Sequence, residues 1–197
     1  MRRKRIIVPK LLFLPVLCIA LVSHHIWREE GLVNLSFEVF AITLVAIGAI
    51  GRIWVSAFVS GKKNKELVVD GPYAVVRNPL YMFSLLGFIG AGLAFETLTF
   101  ALLFVAIFFA THLPTILAEE RFLREKFGEQ FDAYVRAVPR LLPRSWRPTC
   151  PIEVKFNSAV YSRAVLDSSL IMSMFLVAHV IEWGHLHRVL PVYFHLP

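Results

Sequence analysis

Residues 79–120 read "PLYMFSLLGFIGAGLAFETLTFALLFVAIFFATHLPTILAEE". Two apolar runs, Pro79–Phe95 and Leu98–Ala118, are parted only by Glu96 and Thr97. A helix needs about 20 predominantly apolar residues to cross a bilayer, so both runs read as spans. A two-residue link forces them into a tight helical hairpin whose two outer ends return to one membrane face. That reading sets the class: an all-α, polytopic membrane protein. Working outward, Phe37–Val59 and Leu11–Trp27 upstream and Val165–Trp183 downstream have the same character, which gives about five transmembrane helices. The whole chain agrees. Its 197 residues are 57% hydrophobic with a mean hydropathy of +0.63, and the 18% that are charged gather between the apolar runs.

Those charges set an expected orientation. Five basic residues stand in the N-terminal tail, four between Lys62 and Arg77, and nine between Arg121 and Arg163, so 18 of the 21 Lys and Arg fall on one side. By the positive-inside rule that side is cytosolic, and five spans then place the C-terminus outside. The net charge of +7 is on this account a topology signal that also suits anionic membrane lipids. It flanks spans, which argues against nucleic acid as a partner. The start "MRRKR" followed by an apolar run imitates a signal peptide, but no small-x-small cleavage site follows, so an uncleaved anchor is expected. Cys18 lies in a span and Cys150 in a cytosolic segment, so no disulfide is expected.

After the fourth span, Phe122, Leu123, Phe127, Phe131, Tyr134 and Val138 recur at helical spacing among charged residues. This predicts that the fourth helix runs on as an amphipathic helix past the membrane surface. Gly128 suits a helix stop, and a second helix over about Glu129–Ala137 ends before Pro139. The chain thus divides into N-terminal transmembrane helices (1–60), a loop, hairpin and cytosolic helices that form a core (61–143), and a linker with a last transmembrane helix (144–197).

The hairpin's cytosolic mouth carries the chemistry. Upstream of Pro79 the chain reads "GPYAVVRN". Asn78-Pro79 is a helix-start signal, since Asn caps and Pro fits the first helical position. The free N–H groups of that helix start favour an anion. Arg77 adds a guanidinium fork that matches a carboxylate or phosphate. The fourth span returns Glu119-Glu120 to the same face, where two acids favour a cation. A ligand bearing both a carboxylate and a positive charge fits such a site. S-adenosylmethionine, an amino acid and a zwitterionic lipid all meet that description.

"GPYAVVRNPLY", an apolar hairpin and "EERFLREKFGEQFDAYVRAVPRLLP", taken in order, resemble the isoprenylcysteine carboxyl methyltransferases and the related phospholipid methyltransferases. The matching positions are Gly71, Tyr73, Arg77, Asn78, Pro79 and Tyr81, then Glu119, Glu120 and Leu123, then Phe127, Gly128, Phe131, Tyr134, Arg140 and Pro143. "GRIW" at Gly51–Trp54 also resembles the end of the family's second span. The resemblance covers about residues 48–143. It implies an integral membrane methyltransferase that takes S-adenosylmethionine from the cytosol and methylates a lipophilic acceptor entering from the bilayer. That acceptor is an isoprenylcysteine carboxylate or another lipid; a phospholipid amine is the alternative. It further implies that Tyr73, Arg77, Asn78, Pro79, Tyr81, Glu119 and Glu120 hold the cofactor. Glu120, Tyr134 and Arg140 serve the reaction, and the acceptor's tail passes Phe104, Phe108 or Phe109. Asn78 stands where the eukaryotic carboxyl methyltransferases tend to have His, so this position cannot titrate.

Each feature also has a plainer reading. Arg77 is a positive-inside anchor, Tyr73 and Tyr81 are interfacial aromatics, and Gly87, Gly90 and Gly92 let helices approach closely. Arg52 either snorkels to the surface or serves the site. His112, two residues before Pro114, belongs to a kink. His179, Glu182 and His185 lie at a spacing that can ligate a metal, but no second His or carboxylate cluster on another span matches them, so they read as interfacial packing with no metal site. A non-catalytic scaffold or transporter subunit is the alternative of another class.

Overall fold

The computed structural model describes residues 13–27, 31–60, 66–149 and 157–197. The basic N-terminal tail, Lys62, Lys63, Lys65, Cys150 and residues 151–156 of the linker lie outside the described residues. The helices are α1, described over residues 13–20, α2 (Leu32–Val59), α3 (Pro79–Leu93), α4 (Leu98–Phe127), α5 (Glu129–Ala137) and α6 (Ser158–Leu186). A short parallel ribbon joins β1 (Ser23–His25) to β2 (Phe194–Leu196).

Among the described residues, α2, α4 and α6 (from Tyr161) are long and apolar enough to cross a membrane. At 15 residues, α3 is shorter than a full crossing needs. The protein is an all-α membrane protein; among the described residues three helices have full crossing length, where the sequence suggested about five. Among the boundaries that differ from expectation, two have a local cause. The first apolar run was expected to stay helical to Trp27, but Ser23–His25 pairs with the C-terminal strand instead, in the register His24↔His195 and His25↔Leu196. Pairing with β2 supplies backbone hydrogen bonds to β1 that further helix would otherwise have provided. The last helix begins at Ser158, well before Val165, because Asn157 caps it: its Oδ1 accepts from the Ala159 N–H at 3.0 Å.

The hairpin connection and the α4–α5 break fall where the sequence put them. α3 ends at Leu93 and α4 begins at Leu98. Thr97 Oγ1 accepts from the Phe100 N–H at 3.2 Å, which caps α4. Glu96 takes a left-handed φ of 55° in the turn. Gly128 separates α4 from α5 at φ 51°, a conformation that costs a residue with a Cβ far more than glycine. Val138, before Pro139, is extended and closes α5.

The chain forms two compact units assembled from segments distant in sequence. One contains the described residues up to Ala46, with Leu86–Thr111 and Ile171–Pro197. Its core gathers Val16, Ala20, Ala91, Phe100, Phe104, Ile107 and Ile181. Phe104 and Phe108 were expected to border the acceptor's path; both are buried here, Phe108 against Phe88 with ring centroids 5.5 Å apart. Gly90 lets α3 approach the backbone of α2: a Cβ there would lie 2.7 Å from the Ala41 carbonyl oxygen and 2.8 Å from the Val45 nitrogen.

The other unit contains Ile47–Leu85 and His112–Leu170. Here α2 and α3 meet where the Phe83 ring covers Gly51. Arg52 does not snorkel. Its guanidinium donates to Ser84 Oγ on α3 and lies 3.9 Å from Asp167 on α6. His112 packs edge-on against Tyr81, with centroids 5.8 Å apart, just ahead of Pro114 in α4. α5 buries Phe131 and Tyr134 and exposes its charged side. Full burial of one such ring is worth about 1.5–3 kcal/mol, enough to hold a nine-residue helix that would not persist alone.

Candidate active site

The site is built within the second unit from four pieces: the 3-10 turn Pro72–Ala74 with the irregular segment 76–78, the start of α3, the last turns of α4, and α5 with the residues after it. Pro79 bars helix at Asn78 and holds it extended. That lets the main chain of Arg77 and Asn78 pair with the segment leaving α5: Arg77 N–H donates to the Pro139 carbonyl at 2.8 Å and Asn78 N–H to the Arg140 carbonyl at 3.1 Å. The Asn78 carbonyl in turn accepts the first bonds of α3, from Tyr81 and Met82.

Around this pairing the side chains form a closed ionic knot on Glu120. Its carboxylate accepts from Arg77 Nε at 3.3 Å, Asn78 Nδ2 at 2.9 Å, Arg140 Nε at 3.0 Å and Arg140 Nη2 at 2.8 Å. Arg77 Nη1 also donates to the carbonyls of Val135 and Val138, at 3.0 and 2.7 Å. The knot is buried on the Arg77 side (8% exposed) and half open on the Arg140 side (46%). Such a pair, enclosed by several donors, fixes geometry more than it adds stability, while loss of one partner strands a buried charge. Asn78 therefore has a use that needs no titration: its amide is a neutral donor to Glu120.

Beside the knot lies a cavity of about 170 Å³. Tyr73, Arg77, Asn78, Pro79, Tyr81, Glu119 and Tyr134 all line it, so seven of the nine residues singled out in the sequence come together there. Glu120 and Arg140 do not line it. Both were expected to act on the reaction, and Glu120 to hold the cofactor as well; here the two side chains pair with each other. Successive residues of a helix point about 100° apart, and the turn that gives Glu120 to the knot gives Glu119 to the cavity. Tyr81 Oη donates to Glu119 Oε2 at 3.1 Å. Tyr134 Oη donates to the Tyr73 carbonyl at 2.6 Å, which ties α5 to the turn. Burial pushes both phenols well above the ordinary tyrosine range; the Glu119 charge adds to it at Tyr73, and Tyr73 adds to it at Tyr134. Both are therefore neutral at any physiological pH.

Sequence reasoning missed part of the wall. Phe122 lies three residues beyond Glu119 on the same helical face, a spacing that would have found it. Val59 and Glu66–Val68 come from the end of α2 and from irregular chain, where no periodicity points to a face.

The cavity thus sets two carboxylates, Glu66 and Glu119, and one guanidinium, Arg77, on a largely apolar wall. Comparison with known proteins bears on what it serves. The chain is 29% identical, over 92% of its length and 85% of the relative's, to the nickel-cobalt-cadmium resistance protein NccN of Alcaligenes xylosoxydans xylosoxydans. It is 33% identical to the cobalt-zinc-cadmium resistance protein CzcN of Cupriavidus metallidurans, over 72% of this chain and 65% of that one. Against the protein-S-isoprenylcysteine O-methyltransferase of Schizosaccharomyces pombe it is 27% identical, over 57% and 53%. No solved structure gives a significant match. The family model for phospholipid methyltransferases matches residues 31–130, a stretch that includes the α3–α4 hairpin, Arg77, Asn78 and both glutamates, and the chain belongs to that family.

Proposed function

We propose that this membrane methyltransferase takes its methyl group from S-adenosylmethionine at the cavity between Arg77 and Glu119 and passes it to a lipophilic acceptor reached from the bilayer. The observation that carries the reading is the cavity's opposite charges: Glu119 and Glu66 line one space with Arg77 and suit a ligand that is at once cationic and carboxylate-bearing. The cavity lies on the cytosolic side in the orientation that the basic residues favour, and the cofactor enters from there.

When bound, S-adenosylmethionine supplies a methyl on a cationic sulfur; the acceptor's lone pair forms the new bond to carbon while the carbon–sulfur pair stays on sulfur as a neutral thioether. The chain's residues position the partners, which is where much of such a rate enhancement originates. Glu119 sits against the positive end of the ligand, with Tyr81 Oη fixing its carboxylate. Arg77, held rigid by two carbonyls and Glu120, presents its charge to the ligand carboxylate. Tyr73 and Tyr134, neutral and bonded together, shape the wall. Glu120 and Arg140 are positioning residues that keep Arg77 and the α5 exit in place. An isoprenylcysteine carboxylate or similar lipid acid needs no base; a phospholipid amine, the alternative acceptor, must lose a proton, and Glu119 is one of two carboxylates in the cavity, with Glu66, able to take it. We carry over from the names of the two bacterial relatives a setting for this chemistry, the tolerance of divalent transition metals.

The test is direct binding. Full-length protein in detergent is expected to bind S-adenosylmethionine and its demethylated product competitively in calorimetry, and membranes given methyl-labelled cofactor are expected to place label in the lipid fraction. Folded protein that binds neither compound would overturn the reading.

A further inference from the structure

Glu96 is a buried carboxylate, 1% exposed, held at the left-handed corner of the α3–α4 turn. A non-glycine residue at such a φ is uncommon, and a long acidic one merits an explanation. Its Oε2 lies 3.1 Å from Nε2 of His25, itself 2% exposed in β1. From α6, Glu182 joins them: one ligand atom from each of His25, Glu96 and Glu182 lies within 4.8 Å of the other two. Glu182 serves twice, since it also stands 3.4 Å from His179 Nδ1 and forms a second group of the same kind with Glu38 and His179.

The geometry points to a divalent transition-metal site in the first unit, with His25, Glu96 and Glu182 as its ligands and Glu182 shared with the adjoining Glu38–His179 pair. One imidazole and two carboxylates are a nitrogen–oxygen donor set suited to zinc, cobalt or nickel. Metal–ligand bonds of about 2.0–2.2 Å require ligand atoms a few ångström apart, as these are. His25 and Glu182, but not Glu96, also border a cavity of about 20 Å³, large enough for one atom-sized occupant. Two carboxylates beside one imidazole within 4.8 Å repel each other in a buried place, and a dication offsets that repulsion. The ligands are held from outside the group. Pairing of His25 with Leu196 fixes β1, and His185 Nε2 donates to the Leu21 carbonyl at 3.1 Å, which ties α6 to the chain entering β1. His185, expected from spacing to share a face with His179 and Glu182, is engaged in that bond.

An ion there ties together positions 25, 96 and 182, so it stabilises the folded chain. The experiment uses full-length protein in detergent, stripped with a chelator and titrated with Zn²⁺, Co²⁺ or Ni²⁺ by calorimetry. The parent is expected to bind saturably and to melt at higher temperature with the ion. Glu182→Gln, which touches both groups, is expected to weaken binding at least tenfold, as is Glu96→Gln. X-ray absorption of the zinc-loaded parent is expected to show nitrogen and oxygen ligands at about 2.0–2.2 Å with an imidazole signature. This arm decides the matter even where a substituted chain does not fold. Absence of saturable binding by the parent, parent-like affinity in Glu182→Gln, or a zinc shell of oxygen without imidazole would each overturn the proposal.

Discussion

Glu119 and Glu120 are adjacent in sequence and have opposite duties. Glu120 accepts from two guanidinium groups and an amide in the knot, whereas Glu119 faces the cavity with Tyr81. Substitution should separate them. Glu119→Gln is expected to leave the melting temperature near the parent's and weaken S-adenosylmethionine binding by about ten- to a hundredfold, the worth of a charge-assisted hydrogen bond of roughly 1.5–3 kcal/mol. Glu120→Gln strands the buried Arg77 charge, so it is expected to cost stability first, on the order of 3 kcal/mol, and binding only as a consequence. Glu125, exposed on α4, is the control: Glu125→Gln should match the parent in both assays. Calorimetry with thermal unfolding checks all three, and equal binding by Glu119→Gln and parent would refute the assignment. The sequence brought both glutamates to the site but left open which one meets the ligand. That choice depends on how α4 is rotated, and α4 is rotated by what its other faces pack against.

The elements show where local signals suffice. The break at Gly128 and the end of α5 before Pro139 are written in residues that favour those backbones, and the short turn between α3 and α4 in the two-residue gap between apolar runs. Two glycines allow a test of two distinct physical reasons. Gly128 has φ 51° with ψ −123°, a backbone that essentially only glycine adopts, although a Cβ added to it would meet nothing within 4 Å, so Gly128→Ala is expected to cost about 1–3 kcal/mol of backbone strain. At Gly90 an added Cβ would meet backbone atoms of α2 at 2.7 and 2.8 Å, where nothing flexible can yield. Gly90→Ala is expected to be the worse of the two, with a clear loss of melting temperature or of folded yield in detergent. If Gly90→Ala melted like the parent, the close approach of α2 and α3 would be wrong. The β1–β2 ribbon was not legible. Its strands, Ser23–His25 and Phe194–Leu196, are three residues each and come from opposite ends of the chain, and no run that short carries a period.

For the whole molecule, the expected orientation rests on charge counting and is open to direct measurement. Ser145 is exposed among the residues after α5, and Tyr193 is exposed near the C-terminus. In a background with Cys18 and Cys150 replaced, Ser145→Cys is expected to react with a membrane-impermeant thiol reagent only from the cytosolic side, and Tyr193→Cys only from the outside. Labelling of Ser145→Cys in intact cells would reverse the assignment. By itself the sequence determined the membrane class and the hairpin and named seven of the residues that line the candidate cavity, because apolar length, turn chemistry and charge placement are properties of local chain that no fold can rewrite. It could not determine the burial of Phe104 and Phe108, the turn of Arg52 to Ser84, the enclosure of Glu120 by Arg77 and Arg140, or the meeting of His25 with Glu96 and Glu182. Those were decided by the tertiary structure alone, since each depends on which residues distant in sequence come to share a contact once the helices have packed.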